Sequence, residues 1–148
     1  MVEAKEDFFH LGIKALVRNP KGEILLLKTN PQALVGYDGD PYWDIPGGRL
    51  LKGSGVEETL KRELLEETGI SSVKSTVPFT MALSNLRIPV GEESVGLILS
   101  VYICEVDIGE IRLSEEHLES KWFSPQEAAD LLRFKYPEDF VEKLRTLE

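Results

Sequence analysis

Cysteine is nearly absent from this 148-residue chain, and the single one, Cys104, excludes an intrachain disulfide. It lies inside the apolar stretch VGLILSVYICEV, where it reads as a small buried hydrophobe in a reducing compartment. That stretch is the most apolar in the chain, yet it falls short of the ~20 residues a membrane-spanning helix needs. A buried strand is the better reading, and no membrane partner is expected. The N-terminus, MVEAKEDFFHLG, starts acidic and lacks the layout of a secretory leader, so a cytoplasmic location is expected. Positive charge is also scarce. Lys and Arg number 17 against 26 Asp and Glu, a net charge of −9. With no basic patch to neutralise phosphates, polymeric nucleic acid is not an expected partner. A small phosphorylated substrate is compatible with this charge if divalent cations accompany it. Repeats and linkers are missing as well, so a single domain over residues 1–148 is expected.

What is present reads as alternating strands and helices. LGIKALVR and ILLLK, joined by the turn NPKGE, form a candidate hairpin. A long polar loop (Thr29 to Pro41) precedes the short strand YWDI, which Pro46, Gly47 and Gly48 stop; RLL is expected to resume it. Residues Gly55 to Thr68 predict a helix closed by Gly69. VKSTVPFTMALS and SVGLILSVYICEV predict two strands joined by the loop NLRIPVGEE, and SKWFS a short last strand. Ser124, Pro125 and Glu127 then mark a helix start, and PEDFVEKLRTL a terminal helix. The fold class is α+β, a mixed sheet covered by helices.

The central helix carries the chemistry. At ~100° per residue, Val56, Leu60 and Leu64 form an apolar stripe. Glu67 falls in line with that stripe and Glu63 at its edge, with Glu66 to the side. A solvated acidic face accounts for Glu57, Glu58 and Lys61. It accounts poorly for Glu63 and Glu67, because unpaired inward carboxylates are costly and repel one another. A hard divalent cation removes both objections by taking oxygen ligands from clustered carboxylates. Both readings stand at this level. Arg62 is placed to orient one carboxylate. Gly47 and Gly48 permit close approach of backbone to a ligand, so the Gly48 carbonyl is a candidate oxygen donor.

Gly48, Arg62, Glu63, Leu64, Glu66, Glu67, Gly69 and Ile70 together resemble the signature of the Nudix hydrolase family, in register. One position departs from it: Ser54 stands where the family has its first glutamate. WDIPGGRL and EEHLESKWFSPQEA are similar to the family's flanking segments, so the resemblance runs from about Leu11 to Leu132. It implies a Nudix-type α/β/α sandwich around a mixed β-sheet. It also implies Mg²⁺- or Mn²⁺-dependent hydrolysis of nucleoside-diphosphate-linked substrates such as nucleoside triphosphates, damaged nucleotides or sugar nucleotides. By position, Glu63, Glu66 and Glu67 become candidate metal ligands, with Gly48, and Arg62 a residue that holds one of them. Glu116 sits where some members supply a further ligand or a base, with Glu115 and Glu119 as competitors. Arg49 and Lys52 are candidate phosphate contacts. Tyr37, Tyr42 and Trp43 offer stacking faces, with Trp43 equally a core candidate. Asn85 and Arg87 are candidate hydrogen-bonding groups for a substrate. Dimers are frequent in that family, which makes a homodimer a candidate assembly. The alternative is a catalytically weak Nudix-fold nucleotide-binding sensor, favoured only by Ser54.

Overall fold

The computed structural model describes residues 5–107 and 109–148. Strand β1 (Phe9–Arg18) runs parallel to β7 (Glu93–Glu105) over ten paired residues, and β7 is antiparallel to β5 (Ser75–Leu83). The other side of β1 is shared. Its end meets β2 (Ile24–Thr29) at Arg18↔Ile24, and its start meets β4 (Gly47–Arg49) between Gly12 and Lys14. Strand β2 also pairs with β3 (Trp43–Asp44) and with β8 (His117–Phe123). The sheet is therefore mixed, with β1 and β7 as its parallel pair.

Continuous apolar runs in β1 and β2 mean that both faces of the sheet are covered. Successive residues of β2 go to opposite sides. Leu25 and Leu27 pack with Leu60 and Leu64 of α1 (Val56–Thr68), whereas Ile24 and Leu26 pack with Ala128, Phe140 and Leu144 of α2 (Pro125–Leu131) and α3 (Glu138–Arg145). The result is one helix on one face and two on the other. Helix α1 ends as its sequence implies, with Gly69 left-handed at φ 79° and its N–H on the Leu65 carbonyl. Ser124 and Glu127 form the reciprocal capping box at the start of α2.

Three local expectations change. Val56 is exposed, because the first turn of α1 overhangs the sheet, so the buried stripe begins at Thr59 and Leu60. The two glycines lie inside strand β4 rather than ending a strand, and the chain leaves the sheet at Leu50. The stretch NLRIPVGEE contains a short strand β6 (Ile88–Val90), folded onto β7 around Gly91, whose φ of 62° suits glycine. A proline inside so short a run hides the strand pattern.

A buried carboxylate fastens the far face to the sheet. Asp44 Oδ2 accepts from Lys135 Nζ (2.6 Å) and Lys14 Nζ (3.3 Å), and Oδ1 from Tyr136 Oη (2.6 Å) and the Ile45 N–H (2.7 Å). Lys135 and Tyr136 belong to the α2–α3 connection, so this one group ties β3 to β1 and to both helices. Burial opposes the Asp44 anion, but the two ammonium groups and the tyrosine hydroxyl outweigh it and hold its carboxyl below the usual value of 3.8.

A folded value depressed in this way stabilises the protein above the unfolded value, and that stabilisation fades as pH drops below 3.8. Asp44→Ala leaves two buried ammonium groups unpaired and should cost about 3–5 kcal/mol at pH 7. Urea unfolding should show that cost shrinking between pH 4 and pH 3; a pH-independent difference would mean that packing, not charge, is lost.

Candidate functional site

Two elements meet at Glu67. Its residue is 5% exposed, and Oε1 accepts the N–H of Gly47 at 2.8 Å. That bond joins the last turn of α1 to strand β4. Gly47 has φ 151°, and a Cβ there would overlap the Ile13 carbonyl oxygen, so only glycine brings its N–H to this carboxylate. Gly48 is required for a different reason: a Cβ would overlap the Glu63 carboxylate, which lies directly over it. The glycine pair thus lets two glutamates press against backbone.

Glu63 is half-buried, Arg62 Nη2 stands 3.5 Å from its Oε1, and Glu66 is exposed beside it. Burial raises the Glu63 carboxyl, and Glu66 adds to the rise against the pull of Arg62. Glu67 is pushed up to about 8, chiefly by burial, against Lys14 and the Gly47 hydrogen bond, with Glu63 and Glu116 adding repulsion. Inward carboxylates that repel one another set this part of α1 apart from a solvated helix face.

The turn before β8 and the first residue of β8 contribute two further groups. Glu116 and His117 approach Glu67 so that one donor atom from each lies within 4.8 Å of the others. A bulge sets this up: Lys28 pairs with Glu119 and Thr29 with His117, leaving Leu118 extra. Without it, His117 would share the face of Glu119. With it, His117 faces as Thr29 does, on the side of Leu25, Leu27 and helix α1. Its Nδ1 is buried and has no hydrogen-bond partner among the described residues, and burial together with Lys14 lowers the imidazole to about 4. Carboxylate oxygens, a neutral imidazole and raised carboxyls form a donor set that fits a divalent cation.

The remaining candidates are dispersed. Tyr37 and Tyr42 meet edge to face (5.3 Å) and both approach Phe134. An open depression of about 600 Å³ is lined by Tyr37, Asp38, Pro41 and Leu118, and it shares Asn30 and Gln32 with a second of about 440 Å³ that ends at Glu115 and Glu116. A path therefore leads from the carboxylates to the aromatic loop. Trp43 lies edge-on to Phe123 against the main core, with Lys28 over its ring. Arg49 is exposed and contacts His10 Nδ1 at 2.9 Å, and Lys52 is exposed in the turn before α1. Ser54 lies in the same turn, its N–H on the Leu51 carbonyl.

Asn85 and Arg87 are engaged by other groups of the chain. The Asn85 amide donates to the carbonyls of Arg133 and Tyr136, and Arg87 pairs with Asp7 and Ser94. Sequence reasoning missed Lys14, Asp44, His117 and Lys135. Only Lys14 left a trace, as a cation in the middle of an apolar strand.

A model described as NUDIX domain matches residues 8–144. Over 64 residues the chain is 39% identical to a putative 8-oxo-dGTP diphosphatase of Bacillus subtilis, a match covering 43% of this chain and 38% of that protein. The match thus spans well under half the length of that relative. Over 115 residues it is 32% identical to the asymmetrical bis(5'-nucleosyl)-tetraphosphatase of Mus musculus, covering 76% of this chain and 71% of that one. The crystal structure of a MutT protein from Methanosarcina mazei superposes with a TM-score of 0.66 at 29% identity, over 95% of this chain and 94% of the other. The mixed sheet, the helix layers and a family match over most of the chain agree: the chain belongs to the NUDIX domain family, whose pyrophosphohydrolases are hydrolases acting on acid anhydrides.

Proposed function

We propose that this chain is a divalent-cation-dependent hydrolase of nucleoside-diphosphate-linked substrates, the class that includes nucleoside triphosphates, damaged nucleotides and sugar nucleotides. The observation that carries this reading is the convergence of Glu63 and Glu67, seated against Gly48 and Gly47, with Glu116 from the distant turn before β8. The relatives' printed activities share one chemical feature, a phosphoanhydride in a nucleotide, which supports the same class.

Glu63, Glu66, Glu67, Glu116 and the Gly48 carbonyl would hold Mg²⁺ or Mn²⁺. A cation bound there supplies charge neutralisation of the pyrophosphate and eases ionisation of the attacking water. The chain's own residues do the rest. The Gly47 N–H fixes the Glu67 carboxylate against the sheet, and Arg62 steadies Glu63. Water attacks phosphorus, the anhydride P–O bond breaks, and a carboxylate of the cluster that does not hold the cation takes the proton. Arg49 and Lys52, on the exposed turn after the glycines, would meet phosphate oxygens, and Tyr37 would offer a base a stacking face. Trp43, packed on the core, would bear on substrate through the loop it anchors.

With Mg²⁺ or Mn²⁺, the protein should cleave at least one member of a nucleotide panel, and chelation should abolish the cleavage. An intact panel would favour a nucleotide-binding sensor, the reading that Ser54 leaves open. Glu67→Gln should lower turnover by on the order of 10²-fold or more while the protein stays folded. An unchanged rate would remove Glu67 from the site.

Ser54→Glu adds a carboxylate just ahead of α1, where the helix N-terminus favours negative charge. It should raise turnover or tighten Mg²⁺ binding in calorimetry; a fall in both would show that the turn is built around serine.

A further inference from the structure

We propose that His117 gives a ring nitrogen to the same cation that Glu67 and Glu116 hold, so that this position favours a transition ion such as Mn²⁺ over Mg²⁺. The inference rests on the metal-dependent reading above and adds a ligand of a different chemical kind.

Three observations carry it. First, donor atoms of Glu67, Glu116 and His117 lie within 4.8 Å of one another. Two ligands at ~2.1–2.2 Å from one ion stand at most ~4.4 Å apart, and three spread evenly around it about 3.7 Å, so side-chain rotations that draw the donors together by about an ångström suffice. Second, His117 Nδ1 is buried with no partner among the described residues, although most buried polar atoms find one. A histidine placed only for packing would be expected to satisfy that nitrogen from nearby backbone. Third, the β8 bulge turns this ring away from the face of Glu119 and toward helix α1, a local distortion whose effect is to bring the imidazole to Glu67.

The charges around the ring are compatible. Lys14 and Lys135 lie near it, but both aim their ammonium groups at Asp44. Mg²⁺ prefers oxygen and near-ideal octahedral geometry, whereas imidazole suits transition ions. A nitrogen in the donor set therefore shifts the preference of the site.

The test is Mn²⁺ titration of the purified full chain, followed by pulsed electron paramagnetic resonance and calorimetry. Bound Mn²⁺ should show ¹⁴N modulation from a directly bound imidazole. The modulation should vanish in His117→Ala and persist in His10→Ala, His10 being the chain's other histidine. His117→Ala should weaken Mn²⁺ about tenfold or more and leave Mg²⁺ binding unchanged. Mn²⁺ bound in a Glu67-dependent manner without nitrogen modulation would overturn the assignment and leave the proposed hydrolase standing. Absence of any Glu67-dependent Mn²⁺ binding would overturn both. The wild-type spectrum decides the matter even if a variant is poorly folded.

Discussion

The hydrogen bond from the Gly47 N–H to the Glu67 carboxylate is the contact on which the site depends. It is part-buried and made to a group that burial pushes toward neutrality. It fixes the last turn of α1 against β4, and β4 is itself held to β1 by its pairing at Gly12–Lys14. Helix, glycine strand and central strand are thereby set relative to one another through a single carboxylate oxygen. A charged side chain in such a place is costly unless something compensates. Lys14, the backbone N–H and a bound cation are the available compensations.

A second carboxylate works in the opposite electrostatic sense. Asp44 is surrounded by two ammonium groups and a phenol, and its anion is stabilised whereas that of Glu67 is disfavoured. The two sit on either side of Lys14, which acts on both. The chain thus separates an anion locked into the α2–α3 connection by two ammonium groups from a buried carboxyl that only Lys14 and one backbone N–H offset. Such divergence between neighbouring carboxyl groups is how one fold supports both stability and chemistry.

The sandwich architecture was legible because its signals are local. Continuous apolar runs in β1 and β2, the Ser124–Glu127 capping box and the Gly69 cap each act within a few residues of themselves. The inward position of Glu67 was legible for the same reason, since helical periodicity alone aligns it with Leu60 and Leu64. Strand β6 and the start of β8 were not. Their sequences are polar or interrupted by proline, and pairing with β7 and β2 holds them in place. Asn85 and Arg87 looked like substrate contacts because nothing local shows that the α2–α3 connection and Asp7 would claim them.

The sequence by itself determined the acidic helix, its glycine lead-in and the family, because these are matters of spacing along one continuous segment. Only the tertiary structure decided that His117 joins Glu116 beside Glu67, and that Lys14 and Lys135 share Asp44. Those groupings join residues up to 91 positions apart, and one of them turns on a one-residue bulge that reverses which face a side chain takes. Spacing along a strand cannot register such an insertion, because the pairing partner, not the strand's own sequence, decides where the extra residue goes.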